Sequence, residues 1–207
     1  FAMAVCLACA PAGTGALRPA PAAAAEPTAL EETALEETAL EQTGTLRHPP
    51  LREASGLAAS RRQQGVFWTL CDSLNAPHLY AIDVSGKLLA EYRLRAAVNV
   101  DWEAVAIDEQ GRLFVCDVGN NVVKDGLGRR WVYQVAEPEV SENGDRRPAA
   151  GAAEIEVEKT FVYTFPGRPF DVEAAVAHRG SLYLVEKTRE ADAGLYRLPL
   201  AEDNRPA

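Results

Sequence analysis

Short apolar runs, each bounded by Gly, Pro, Asn or Asp, recur along residues 51–200, and none has the longer period of an amphipathic helix. Such runs are typical of β-strands joined by turns. The pattern predicts eleven strands and no helix. We expect them at residues 56–60, 66–71, 78–84, 88–94, 104–108, 113–117, 130–136, 160–165, 174–178, 182–186 and 195–198. Residues 137–153, rich in Pro, Gly and charge, are predicted to form an inserted surface loop.

The predicted strands fall into three units with a common sequence pattern. Each unit opens on a related segment, and the three segments are Leu51–Ala58, Asp101–Ala106 and Asp171–Val176. After each comes a Gly, an apolar run ending in an acid, and a further strand that holds a Tyr. Repeated units of short antiparallel strands are typical of propeller blades. The prediction is therefore an all-β fold, a β-propeller with about three four-stranded blades in residues 46–207.

Propellers close their ring with about four to eight blades. Three blades would leave long unpaired edges, which folded proteins avoid. We therefore expect this chain to be a fragment of a six-bladed ring. A β-sandwich of similar strands is the structural alternative.

Residues 1–25 have the composition of an export signal. Their first ten residues are apolar but too short to span a bilayer, and small residues continue to Ala25, just before Glu26. A charged start is missing, so the signal is expected to be incomplete at its N-terminus. The prediction is a secreted, periplasmic or cell-envelope protein with no transmembrane segment after cleavage. A lipid anchor on Cys6 or Cys9, which would make the protein a lipoprotein, is an alternative.

Residues 26–45 are predicted to be a low-complexity linker. Residues 28–42 repeat Thr-Ala-Leu-Glu-Glu three times, with Gln ending the last copy. A five-residue step turns successive Leu side chains by about 140° on a helix, so no apolar stripe forms. Without such a stripe the segment has no face with which to dock on the domain.

Charge and cysteine content narrow the possible partners. The formal net charge is −9, and six of the 30 acids lie between Glu26 and Glu41. A basic face of the kind that binds nucleic acid is absent from the sequence, so we expect a small molecule or a protein as partner. Outside the signal only Cys71 and Cys116 remain, either as buried free thiols or as a disulfide.

Acidic residues recur at the two strand ends that meet at one end of each unit. One set opens the first strand and the other closes the second, and because these strands run antiparallel, the two sets are expected to converge on one face of the array. In a propeller this face lies at the mouth of the central channel. The predicted ligands are Glu53, Asp72, Asp101, Glu103, Asp117, Asn120, Asp171, Glu173 and Glu186.

Two interpretations of these acids remain open. Hard oxygen donors in this number suit Ca²⁺, which takes six to eight oxygen ligands. Alternatively, each acid caps a backbone N–H or pairs with an Arg and so fixes one unit to the next. Polar residues in the loops of the same face are candidate ligand-binding residues, and they are Asn75, His78 and Asn121.

Four segments of this chain resemble a family of exported bacterial β-propeller proteins. They begin at Asp72-Ser73-Leu74-Asn75, Asn99-Val100-Asp101-Trp102-Glu103, Asp117-Val118-Gly119-Asn120-Asn121 and Asp171-Val172-Glu173-Ala174. The resemblance covers about residues 52–200 and implies the fold and export, not an activity. A looser likeness is to six-bladed propellers of the gluconolactonase and paraoxonase type, which hold Ca²⁺ at the channel. There Glu53, Glu103, Asp117 and Asn120 would be the nearest matches.

Two functions follow from this sequence. The first is an exported binding or scaffold module whose acidic channel face holds Ca²⁺. The second is a Ca²⁺-dependent hydrolase of a lactone or phosphoester, in which the metal polarises a substrate oxygen. The hydrolase also needs a base, and His78 is the candidate on the acidic face.

Overall fold

Twelve β-strands and no helix make up the described part of the protein. In this computed structural model the described residues are 40–120, 128–140, 152–165, 167–189 and 192–200. No helix among them is long and apolar enough to cross a membrane. The strands are β1 (Ala54–Ala59), β2 (Phe67–Cys71), β3 (His78–Ile82), β4 (Leu88–Arg95), β5 (Trp102–Ile107), β6 (Arg112–Asp117), β7 (Arg129–Ala136), β8 (Ala153–Glu156), β9 (Lys159–Thr164), β10 (Val172–His178), β11 (Ser181–Glu186) and β12 (Leu195–Pro199).

The predicted export signal lies outside the described residues, as does most of the predicted linker. The part of that linker at residues 40–45 has no regular structure. Residues 40–42 belong to a unit that spans Val5–Gln42, and all strands belong to a second compact unit that includes Thr43–Ala207. The sheets of this second unit carry the candidate site.

The strands form three sheets, and apart from β8 each sheet consists of strands that follow one another along the chain. Sheet A has the order β1-β2-β3-β4-β8, sheet B the order β5-β6-β7-β9, and sheet C the order β10-β11-β12. All pairs are antiparallel except β4 with β8, which run parallel. The all-β prediction is confirmed for the described residues: all eleven predicted strands are present, and β8 is a twelfth.

The predicted loop over residues 137–153 has no regular structure at its described residues 137–140 and 152, and residues 141–151 lie outside the described part. Strand β8, which follows it, was not predicted. Its first residue, Ala153, is the last residue of that loop, and the strand extends sheet A from a segment that lies between two strands of sheet B. Exposed ion pairs accompany this pairing, with Glu154 near Arg93 and Arg95, and Glu156 near Arg95. The apolar pattern missed β8 because an exposed edge strand with alternate Glu residues has little apolar character.

Sheet B is packed between the other two sheets, and each of its faces contributes to a different core. One face joins the side chains of sheet A around Trp68 and Trp102, both fully buried. The other face joins those of sheet C around Phe114, Phe161 and Leu184. Trp68 and Trp102 are therefore core residues.

A β-bulge interrupts the first strand of every sheet. The bulged residues are Gly56 in β1, Glu103 in β5 and Glu173 in β10. A bulge adds one unpaired residue and redirects its side chain. In β5 and β10 the bulge lies opposite the last two residues of the second strand, whereas in β1 it lies opposite Leu70 and Thr69. Ala54 pairs with Cys71 as Ala104 pairs with Cys116, so the pairing keeps Glu53 in step with Glu103, but β1 has no bulge at Glu53.

Both cysteines among the described residues, Cys71 and Cys116, are buried free thiols. Cys71 ends β2 and Cys116 lies in β6. Burial raises the pKa of Cys116 to about 12, so this thiol stays protonated and unreactive at neutral pH. Of the two alternatives drawn from the sequence, the structure has the free thiols.

Candidate functional site

Five of the nine predicted ligands meet where the three sheets join. Carboxylate oxygens of Asp72, Asp101 and Glu103 lie within 4.8 Å of one another, and so do those of Glu103, Asp171 and Glu173. Glu103 belongs to both groups. We call these five residues the carboxylate cluster. Asp72 comes from sheet A, Asp101 and Glu103 from the start of β5, and Asp171 and Glu173 from the start of β10.

Close backbone contact between β1 and β5 fixes the position of Glu103. The hydroxyl of Ser55 donates to the Glu103 main-chain oxygen at 2.8 Å. A Cβ on Gly56 would lie 2.8 Å from the Val105 nitrogen, so only glycine allows this approach. The bulge at Glu103 therefore sits against β1, with Glu103 only 3% exposed.

Asn99 ties the end of β2 to the start of β5. Its side-chain amide donates to the main-chain oxygens of Cys71 and Asp72, at 3.0 and 2.8 Å. Its oxygen accepts from the Trp102 nitrogen at 3.2 Å. Because Asn99 is 5% exposed, these bonds are shielded from water, and they hold Asp72 of sheet A next to the acids of sheet B.

Gly119 brings the loop after β6 against the cluster. Its nitrogen, like that of Val118, donates to the main-chain oxygen of Asp101. A Cβ on Gly119 would lie 2.4 Å from Asp101 Oδ2 and 2.8 Å from Glu103 Oε1. Any larger residue would therefore push the two buried carboxylates apart.

The cluster is strongly negative. Burial, together with the charges of Asp72, Glu173, Asp101 and Asp171, raises the pKa of Glu103 to about 9. Glu103 is therefore protonated at neutral pH unless a cation compensates the surrounding charge. A further negative charge at the centre of the cluster is therefore unfavourable.

Lys187 supplies a positive charge at one end of the cluster. Its ammonium lies 3.3 Å from Asp171 Oδ2 and donates to Glu173 Oε1. The bond to Glu173 and the nearby charges raise the pKa of Lys187. The group formed by Glu103, Asp171 and Glu173 thus contains a cation from the chain itself.

Asp117 lies beside the cluster and caps backbone groups. Its carboxylate accepts from the nitrogens of Val100 and Asp101, at 3.3 and 2.9 Å. Burial is the main cause that raises its pKa to about 6, against the lowering effect of these bonds. This is the structural role that the sequence left open as the alternative to metal binding.

The remaining predicted residues lie in other contacts. Glu186 accepts from the Tyr196 hydroxyl at 3.3 Å and lies 3.8 Å from Arg168. Exposed Glu53 accepts from the Asn75 amide at 3.0 Å. The Asn120 nitrogen donates to Asp171 Oδ1 at 2.9 Å.

His78 and Asn121 have a different status from the other candidates. The His78 ring lies 2.7 Å from Glu91, which also lies 3.3 Å from His48. His78 is thus in a His–Glu–His group on sheet A, and it belongs to neither group of clustered acids. Asn121 lies outside the described residues.

Sequence reasoning did not identify Asn99, Gly119 or Lys187 as parts of the site. Asn99 and Gly119 stand inside the quoted motifs, two residues from an acid, and that position was the available signal. For Lys187, the position directly after the strand-ending Glu186 was the only indication. All three act on the cluster through contacts that strand periodicity does not show.

The donor set of the cluster suits a hard divalent cation. Its potential ligands are all carboxylate oxygens, which Ca²⁺ and Mg²⁺ prefer over nitrogen or sulfur. The group of Asp72, Asp101 and Glu103 is the better candidate, because Lys187 already compensates charge in the other group. Neither group contains a His or a Cys, which argues against zinc.

Comparisons with known proteins give only a distant structural likeness. No protein-family model matches the chain, and no curated protein matches it either. Among solved structures, it is similar to a catalytically inactive virginiamycin B lyase from Staphylococcus aureus with quinupristin. The identity is 14%, the TM-score is 0.36, and the match covers 77% of this chain. The chain spans 59% of the length of that protein, and a likeness at this level carries no argument about chemistry.

Proposed function

We propose that this chain is part of an exported β-propeller that binds a divalent cation, Ca²⁺, at the carboxylate cluster and acts as a binding or scaffold module. The observation that carries the proposal is the convergence of five acids from three successive sheets on one place. Export by a signal peptide, or with a lipid anchor as the alternative, is proposed from the sequence alone.

The arrangement of the first strands supports a radial array. Strand β5 lies between β1 and β10, the first strands of the neighbouring sheets. Each of these strands carries a bulge, and those of β5 and β10 lie at the same place relative to the second strand. In a propeller the first strand of each blade is the innermost and lines the central channel. The cluster would then lie at the mouth of that channel.

Electrostatics supports a cation in particular. Assembling buried carboxylates is unfavourable unless protons or cations compensate their charge. Lys187 contributes one positive charge to the end of the cluster at Asp171 and Glu173. A divalent cation between Asp72, Asp101 and Glu103 would compensate the other end.

Thermal unfolding in Ca²⁺ and in EDTA tests this function. A ligand that binds only the folded state raises the unfolding midpoint with its concentration. The proposal predicts a saturable increase with Ca²⁺ that is absent in Glu103→Gln and Asp101→Asn. A control variant, Glu139→Gln, changes an acid whose side chain is 85% exposed and should respond like the wild type. If Ca²⁺ stabilises none of these proteins, the acids act only by capping backbone N–H groups and forming ion pairs that fix one unit to the next.

An ester and phosphoester panel separates the binding module from the hydrolase. A hydrolase needs a base near the metal, and His78, the base named from the sequence, pairs with Glu91. We therefore expect Ca²⁺ to stabilise the protein without turnover of any lactone or phosphoester. Turnover that depends on Ca²⁺ and on Glu103 would favour the hydrolase instead.

A further inference from the structure

Two buried hydrogen-bond donors beside the carboxylate cluster have no acceptor among the described residues. They are Arg130 Nε and the hydroxyl of Tyr163. The two residues are cross-strand partners on β7 and β9. The next pair on the same face of sheet B is Val132 and Phe161. These two side chains pack in the core between sheets B and C. Arg130 and Tyr163 therefore face sheet C together.

Arg130 is an unusual residue to bury. It is 2% exposed, and none of the described ion pairs includes it, although its charge acts on the nearby Asp117 carboxylate and lowers the pKa of that group against the larger raising effect of burial. Its guanidinium donates to the Arg129 main-chain oxygen at 2.7 Å and to the side-chain oxygen of Asn120. The Phe165 ring lies 5.3 Å from its central carbon. These contacts leave the Nε edge of the guanidinium without an acceptor.

Tyr163 is a suitable second donor on the same face. Burial raises its pKa well above the ordinary value, so its hydroxyl remains neutral and keeps its proton. A buried donor without an acceptor destabilises the folded state, and a bound acceptor would remove that penalty. An oxyanion matches this pair, because guanidinium groups present their N–H donors in a planar fork that suits carboxylates, phosphates and sulfates.

Asn120 connects this pair to the cluster. Its side-chain oxygen accepts from Arg130, and its nitrogen donates to Asp171 Oδ1 at 2.9 Å. An anion beside five acids is unfavourable on its own, and a cation at the cluster removes that repulsion. Cation and anion binding should therefore strengthen each other.

We propose that Arg130 and Tyr163 form a subsite for a small oxyanion, which binds next to the cation of the carboxylate cluster. The ligand class is thus a carboxylate or a tetrahedral oxyanion held together with a divalent ion. This inference rests on the proposed function for its coupling to Ca²⁺, but its two donors belong to the subsite alone.

The test is thermal unfolding with sodium sulfate or sodium acetate, each with Ca²⁺ or with EDTA, and with sodium chloride at equal ionic strength. Because the subsite is buried, occupancy is read from the unfolding equilibrium. Tyr163→Phe removes only the hydroxyl, and Tyr183→Phe on β11 is the matched control. We expect one oxyanion to stabilise the wild type and the control saturably, and more strongly with Ca²⁺. Sulfate as the active anion would identify a tetrahedral ligand, and acetate a carboxylate.

The expected effect of Tyr163→Phe is about tenfold weaker anion binding, since it removes one hydrogen bond to a charged group. Without an anion this variant should be as stable as the wild type or more stable, because an unsatisfied buried hydroxyl is gone. Arg130→Lys keeps the positive charge but loses the planar set of guanidinium N–H donors. We therefore expect that the anion does not stabilise this variant either. If it does not fold, Tyr163→Phe still decides the question.

Equal responses of wild type and Tyr163→Phe would overturn the subsite, because general salt effects act on both proteins alike. No response to either anion would overturn it as well. Stabilisation by Ca²⁺ without an anion response would refute the subsite and leave the proposed function intact. If an oxyanion raises the unfolding midpoint and Ca²⁺ does not, the result would support the subsite at Arg130 and Tyr163 and refute the cation site.

Discussion

The side-chain amide of Asn99 donates to the main-chain oxygen of Asp72 at 2.8 Å, across the junction of sheets A and B. This bond places a carboxylate of one sheet beside Asp101 and Glu103 of the next. The cluster therefore depends on how the sheets are joined as well as on its own acids. Each sheet alone contributes at most two of the five carboxylates.

Replacement of Asn99 should weaken both the fold and the cluster. Asn99→Ala removes three buried hydrogen bonds, so we expect the free energy of unfolding to fall by about 3 kcal/mol. Urea denaturation measures this change. Asn75→Ala is the matched control, because Asn75 is partly exposed and bonds only within its own sheet region, and we expect a loss of about 1 kcal/mol. Equal losses for the two variants would contradict the bridging role.

Gly119→Ala should disturb the carboxylates directly. The added Cβ would lie 2.4 Å from Asp101 Oδ2, so the loop or the acid has to move. We expect a loss of about 1–3 kcal/mol in unfolding free energy, together with weaker Ca²⁺ binding. Gly65→Ala is the control, since Gly65 has a φ of 76° and open space around its Cα. That variant should lose about 1 kcal/mol from backbone strain and keep its Ca²⁺ binding.

The stability of the metal-free protein should depend on Glu103 and pH. The unfolded chain loses this proton near its ordinary pKa of 4.5, whereas the folded protein keeps it up to a pKa of about 9. Between these values the folded state binds one more proton, so the free energy of unfolding falls as pH rises. The slope for this single group is about 1.4 kcal/mol per pH unit.

Urea denaturation across this pH interval, with EDTA present, measures that slope. Glu103→Gln removes the titrating group and should flatten the dependence by the same amount. The variant should also be the more stable protein at the alkaline end. An unchanged slope in Glu103→Gln would show that other groups cause the pH dependence.

Lys187 should compete with a divalent cation for the acids of sheet C. Lys187→Met removes a positive charge next to Asp171 and Glu173, so the metal-free protein should lose stability. Ca²⁺ affinity should rise by about tenfold, because the field at the cluster becomes more negative. Isothermal titration calorimetry measures this affinity, with Arg189→Met as a control that removes a nearby charge. Weaker binding in Lys187→Met would show that the lysine helps to hold the cation.

The sequence predicted the sheets well because their strands are short, apolar and bounded by turns. Trp68 in β2 and Trp102 in β5, both in predicted apolar runs or next to one, lie in the core between sheets A and B. Strand β8 escaped prediction because Glu154 and Glu156 give it an exposed, charged character. Its place in sheet A depends on a parallel pairing with β4 that no local pattern encodes.

Part of the candidate site could be predicted for a similar reason. Antiparallel pairing brings the start of a first strand to the end of a second, which is how Asp72, Asp101 and Asp171 were found. Glu53 was predicted because Glu-Ala recurs there, but β1 has no bulge at Glu53, and this side chain is exposed and bonds to Asn75 instead of joining the cluster. Asp117 caps the backbone nitrogens of Val100 and Asp101. An acid at the end of a strand looks the same in the sequence whether it caps the backbone or binds a metal.

Calorimetric titration of Ca²⁺ into the metal-free chain, compared with Glu103→Gln, tests the central claim most directly. Glu103 belongs to both groups of acids, so its replacement removes a ligand from either. We predict saturable binding to the wild type and affinity at least tenfold lower in Glu103→Gln, since about 1.4 kcal/mol per lost ligand already gives that factor. Glu186→Gln, outside both groups, should bind like the wild type. Absence of binding to the wild type, or equal binding to Glu103→Gln, would contradict the account.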